Sequence, residues 1–168
     1  MDEPLRYADG PTVEVSVHVA APSEAVWKVV TDIQLPARFS DEFEGAEWLD
    51  GADAPALGAR FVGHNSHPAM GGWETTSTIV EFDPLHRFGW AVGDPQDPAA
   101  AWRFELVPID GGTQLSQWMQ MGPARSGINI AIDRMPDKES RILHRRLGEH
   151  RANMERTLAG IKAIVEQN

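Results

Sequence analysis

The stretch Asp137 to Asn168, DKESRILHRRLGEHRANMERTLAGIKAIVEQN, decides the reading of this chain. It holds no proline, and Leu143, Leu147, Met154, Leu158, Ile161 and Val165 recur at spacings that share one face of a helix. The spacing predicts one amphipathic helix of about thirty residues, roughly 45 Å long. Its apolar stripe must be buried, and no other stretch predicts a helix of comparable length, so strands earlier in the chain have to supply the partner surface. His150 interrupts the stripe between Leu147 and Met154. It is either a half-buried packing residue with one ring nitrogen satisfied or a polar group facing a cavity. The basic residues around it, Arg141, Arg145, Arg146, Arg151 and Arg156, alternate with Glu139, Glu149 and Glu155 and read as a solvated face.

Outward from this helix, 168 residues with 42% hydrophobic content predict a single domain over 1–168, with a flexible, polar N-terminus over 1–10. A formal net charge of -10 argues against nucleic acid as a partner. The absence of cysteine excludes disulfides, thiolate metal sites and a cysteine nucleophile. With no leader-like N-terminus and no apolar run near ~20 residues, the expectation is a cytoplasmic protein without stable membrane insertion.

Before the helix the dominant period is two. Thr12 to Val19 alternates strictly, placing Val13, Val15, Val17 and Val19 on one side. Pro22, Ser23 and Glu24 then open a short helix anchored by Trp27, and Asp32 to Phe43 predicts a second one interrupted near Pro36. Further strands are predicted over 46–50, 58–67, 73–83, 87–92, 101–108 and 113–121, with turns at 51–55, 68–72, 84–85, 94–98 and 110–112. Short connections between them argue for an antiparallel meander. The segment 122–136 reads as a loop or flap, although Ile128, Ile130, Ile132 and Met135 within it are apolar.

The order strand, two short helices, six strands, long helix resembles the START-like or helix-grip superfamily, and within it the polyketide cyclase/dehydrase and lipid-transport family. The likeness is carried by Val17 to Trp27 with Asp32, by Gly58 to Asn65, by Trp73 to Thr76, by Phe82-Asp83-Pro84, by Gly111-Gly112-Thr113 and by Met154 to Lys162. It spans almost the whole chain, and each motif is short. The resemblance implies an α+β helix-grip fold, a seven-stranded curved antiparallel sheet wrapped around the C-terminal helix. It also implies an internal cavity for a polyketide- or lipid-like hydrophobic molecule.

In a sheet curled around the helix, charged residues mark the outer face. Arg60 then places Phe61, Gly63, Asn65 and His67 inside. Glu81 places Glu74, Thr76, Thr78, Val80 and Phe82 inside, Arg87 places Phe88, Trp90 and Val92, and Arg103 with Glu105 places Trp102, Phe104 and Leu106. In the last strand Leu115, Gln117, Met119 and Met121 face inward and Trp118 outward, where it would suit a homodimer. Candidate ligand-binding residues are therefore Phe61, Asn65, Thr76, Thr78, Trp90, Trp102, Phe104, Gln117 and Met119, with His150 and Met154 from the helix. The leading expectation is a carrier of a hydrophobic small molecule, with 122–136 as its gate. The alternative is a cyclase, aromatase or dehydratase using Glu74 with His67 or His150 as acid and base. A third is a protein-interaction module docking through Trp118. No metal or cofactor is expected: His64 and His67 point to opposite faces of one strand, and no nucleotide or acyl-serine motif is present.

Overall fold

Strict alternation in β1 (Thr12–Val19) buries Val13, Val15 and Val19 and leaves Glu14, Ser16 and His18 exposed. The computed structural model describes residues 4–167. After β1 come α1 (Ser23–Val30), a 3-10 turn at Leu35–Arg38, β2 (Phe43–Trp48), β3 (Arg60–His67), β4 (Gly71–Asp83), β5 (Arg87–Asp94), β6 (Asp97–Ile109), β7 (Gly112–Met121), α2 (Gly127–Arg134) and α3 (Glu139–Glu166). The seven strands form one antiparallel sheet in the order β1-β7-β6-β5-β4-β3-β2. The sheet curls, and α3 lies along its concave side against β1 and α1. This is the helix-grip fold that the sequence predicts.

The stripe of α3 is buried as the spacing requires: Leu143, Met154, Leu158, Ile161 and Val165 are each at most 4% exposed, with Leu147 packed at the edge. On the sheet side the core is completed by Ile79, Phe88, Phe104, Leu106, Leu115 and Met119. At the β6–β7 hairpin only glycine fits position 112, since φ is +155° and a Cβ would lie 2.0 Å from the Val19 carbonyl oxygen.

Several boundaries differ from the sequence expectation. β2 begins at Phe43 rather than 46, and β6 begins at Asp97, which shrinks the expected 94–98 turn to Pro95-Gln96. The segment 122–136 is no simple loop, because α2 folds within it and Asn129 Oδ1 accepts the backbone N–H of Ser126 at 2.7 Å, closing its first turn. Residues 1–3 of the expected flexible N-terminus lie outside the described residues, whereas 4–10 are docked. The Leu5 N–H donates to Ser140 Oγ, the Tyr7 N–H donates to Glu139 Oε2 (both 2.9 Å), and the buried Tyr7 hydroxyl donates to the Ala124 carbonyl.

The larger correction is in β4. The β4–β5 register slips between Ile79 and Glu81, a bulge that extrudes Val80. Glu81 does mark the outside, but only beyond the bulge. Phe82 accordingly faces inward, where it meets Trp27 and Phe88. Before the bulge the phase is reversed: Ser77 and Ile79 are buried, while Glu74 and Thr76 are exposed. Counting back from Glu81 with an unbroken period of two therefore placed Glu74, Thr76, Thr78 and Val80 on the wrong face.

Candidate functional site

A cavity of about 140 Å³ lies between the concave face of the sheet and α3. By the same measure one water needs only ~10–15 Å³, so the space is that of a small organic molecule. The sheet contributes Phe61, Gly63 and Asn65 from β3, Thr75 and Ser77 from β4, Phe88, Trp90 and Val92 from β5, Trp102 and Phe104 from β6, and Gln117 from β7. His150, Asn153, Met154 and Thr157 line it from α3, four residues within two helical turns. The third wall is the arm over 31–43, through Asp32, Ile33, Pro36, Ser40, Glu42 and Phe43. Phe39 seats this arm on α3, so close to Gly160 that a Cβ there would fall 2.3 Å from its ring.

Aromatic rings cluster on the sheet side of the wall because β5 and β6 alternate in step. Trp90 and Trp102 are cross-strand partners, nearly parallel at 9° with centroids 6.4 Å apart. Phe61, Phe88 and Phe104 each lie 5.6–6.1 Å from Trp90. The His150 ring meets Trp102 edge-on at 5.4 Å. Burial, reinforced by the charge of Arg146, lowers the His150 pKa to about 3, so the imidazole is neutral near pH 7. Gln117, only 5% exposed, has no hydrogen-bond partner for Oε1.

At one end of the cavity the Arg146 guanidinium donates to both Glu42 oxygens at 2.6 and 2.7 Å, and to Glu149 at 2.9 Å. Glu149 in turn meets His67 Nε2 at 3.2 Å. Burial alone would lower the Arg146 pKa, but the bonds to Glu42 and Glu149 outweigh it and raise it. For Glu149, burial works to raise the carboxylate pKa, and the bonds from Arg146 and His67 bring it below its ordinary value. Glu42, His67 and Glu149 also offer metal-type donor atoms within 4.8 Å of one another. Arg146 already sits between the two carboxylates and meets their charge, so a metal would have to displace a guanidinium.

The chain matches the family model described as polyketide cyclase / dehydrase and lipid transport over residues 10–166. It belongs to that family. Among solved structures, this member of the polyketide cyclase/dehydrase and lipid-transport family is similar to the polyketide-cyclase-like protein Cgl2372 of Corynebacterium glutamicum. The identity is 32% and the TM-score 0.64, over 94% of this chain and 92% of that one. The Zhui aromatase/cyclase of Streptomyces sp. R1128 shares its fold at 19% identity and a TM-score of 0.62, with 91% and 94% of the chains covered. The two-domain aromatase/cyclase BexL of the BE-7585A biosynthetic pathway does so at 18% identity and 0.69, the match covering 96% of this chain and 51% of BexL. No curated protein matches the sequence.

In this polyketide cyclase/dehydrase family chain, Phe61, Asn65, Trp90, Trp102, Phe104, Gln117, His150 and Met154 lie together on the cavity wall. Three other candidates do not. Thr76 and Thr78 are on the far side of β4 for the reason given by its bulge, and Met119 is sealed in the core at 1% exposure. Of the acid/base candidates, Glu74 projects outward against His64 at 3.3 Å, with a side chain 68% exposed, so it cannot pair with His67 or His150. His67 faces inward but is engaged by Glu149 at the strand end. Sequence reasoning missed Thr75 and Ser77 through the bulge. It missed Asp32, Ile33, Ser40 and Glu42 because an irregular arm has no period that shows which way a side chain points. None of 122–136 lines the cavity; the arm 31–43 covers it instead. Trp118 is on the outer face, where the Arg103 guanidinium covers its ring at 4.4 Å.

Proposed function

We propose that this protein is a carrier for a small, hydrophobic, ring-containing molecule held between the sheet and α3. The single observation behind it is the cavity itself: six phenylalanine and tryptophan rings on its walls, about 140 Å³ of space, and polar groups such as Asn65, Thr75, Ser77 and Gln117. Apolar walls with sparse, placed polar groups are what ligand sites require. The family is consistent with such a ligand, and aromatase/cyclases are among the proteins that share the fold.

Binding is favoured over a cyclase or dehydratase reaction because the acid and base pair expected from the sequence, Glu74 with His67 or His150, is not assembled in the cavity. Glu74 is on the opposite face, His67 is paired with Glu149, and a His150 titrating at about 3 is a weak base at neutral pH. The proposal includes a cytoplasmic site of action, as expected from the sequence. No described helix is long and apolar enough to cross a membrane.

The test is native mass spectrometry of protein purified gently from its source, followed by extraction and identification of whatever accompanies it. A hydrophobic molecule near one per chain is the expected result. Incubating that molecule with the protein should return it unchanged; conversion to a new product would replace the carrier with an enzyme.

A further inference from the structure

Gln117 is the one cavity-lining side chain with a sealed and unpartnered polar atom among the described residues. It sits mid-strand in β7 between Val15 of β1 and Phe104 of β6, and is only 5% exposed. A buried amide oxygen without a donor is costly, and the cost is relieved when a bound molecule brings one. We infer that Gln117 is the specificity-determining residue of the cavity, and that it selects an uncharged ligand carrying a hydroxyl or N–H group over one that is purely apolar or anionic. This rests on the cavity being the binding site.

The charge inventory points the same way. The ionisable side chains on the wall are Asp32, Glu42 and His150, and none of them supplies a positive charge near pH 7. The guanidinium that meets the wall residue Glu42, Arg146, is committed to Glu42 and Glu149 and does not itself line the cavity. A carboxylate ligand would enter an apolar space beside like charge with no cation to meet it. A phenol or alcohol carries no such burden, and its O–H can donate to Gln117 Oε1 while its rings lie among Trp90, Trp102 and Phe104.

Isothermal titration calorimetry at pH 7 with naphthalene, 2-naphthol and 2-naphthoate separates these features on one ring system. The wild type is expected to bind 2-naphthol about tenfold more tightly than naphthalene, the effect of one satisfied buried acceptor, and 2-naphthoate more weakly than 2-naphthol by at least the same factor. Gln117→Met, of similar length and apolar, should bring 2-naphthol and naphthalene within about twofold while still binding naphthalene. The ranking is read on the wild type, so it stands as a test even if the variant fails to fold. Equal binding of 2-naphthol and naphthalene, or of 2-naphthol and 2-naphthoate, overturns the selectivity and leaves the cavity in place. Failure of all three to bind overturns the cavity as the site and the selectivity with it.

Discussion

Arg146 of α3 grips Glu42 of the arm through two nitrogens, at 2.6 and 2.7 Å, with the two side chains only 13% and 12% exposed. The pair ties the arm that covers the cavity to the helix that forms its floor. A nearly buried pair of this geometry costs little while both partners are present and a great deal when one is removed. Arg146→Met should therefore destabilise the fold by about 2–4 kcal/mol, and Glu42→Leu in the same chain should recover most of that loss. Urea denaturation of the two single variants and the double variant measures the coupling. Strictly additive losses would show that the ion pair does not hold the arm.

His150 makes stability depend on acid. As pH falls below about 6.5 the unfolded chain takes up a proton on this histidine, whereas the folded protein resists until about pH 3. Its contribution is complete above pH 6.5 and declines below it, by up to about 1.4 kcal/mol per pH unit. Glu149, whose carboxylate pKa is lowered, adds a loss of the same sign in more acid solution. His150→Phe keeps a ring against Trp102 and removes the proton site. Denaturation from pH 7 to 4 should give a steeper loss for the wild type than for this variant, and parallel curves would contradict it.

Gly160 stands where α3 and the arm meet, and a methyl group there would strike the Phe39 ring. In an open helix Gly→Ala stabilises by about 1 kcal/mol. Here Gly160→Ala should instead destabilise by about 1–3 kcal/mol, and Phe39→Leu should relieve part of the clash. Thermal unfolding of the two single variants and of the double variant decides the sign.

The helix α3 was legible because its stripe, broken only by His150, keeps one period, and simple alternation likewise placed Trp90, Trp102, Phe104 and Gln117 on the inner face of β5, β6 and β7. β4 was not, because the extra residue at the bulge reverses the phase on which Glu74, Thr76 and Thr78 were placed. A bulge leaves no mark in residue type beyond the exposed valine, Val80. α2 was obscured by the Gly, Ser and Pro residues around it, although Ser126 and Asn129 are spaced as a helix cap. Glu42 could not be foreseen as part of the site: its position comes from the partner it finds on α3, more than a hundred residues later.

The most direct test of the carrier account compares the wild type with Thr75→Phe, which projects a ring into the cavity from β4 without disfavouring the strand. Melting temperatures of both are recorded with increasing amounts of neutral, naphthalene-sized aromatics. A ligand at a hundred times its Kd adds about 2.7 kcal/mol to the stability of a protein that binds it only when folded. The account predicts a concentration-dependent rise for the wild type and none for Thr75→Phe. Unchanged melting of the wild type across the series, or an equal rise in both proteins, would contradict it.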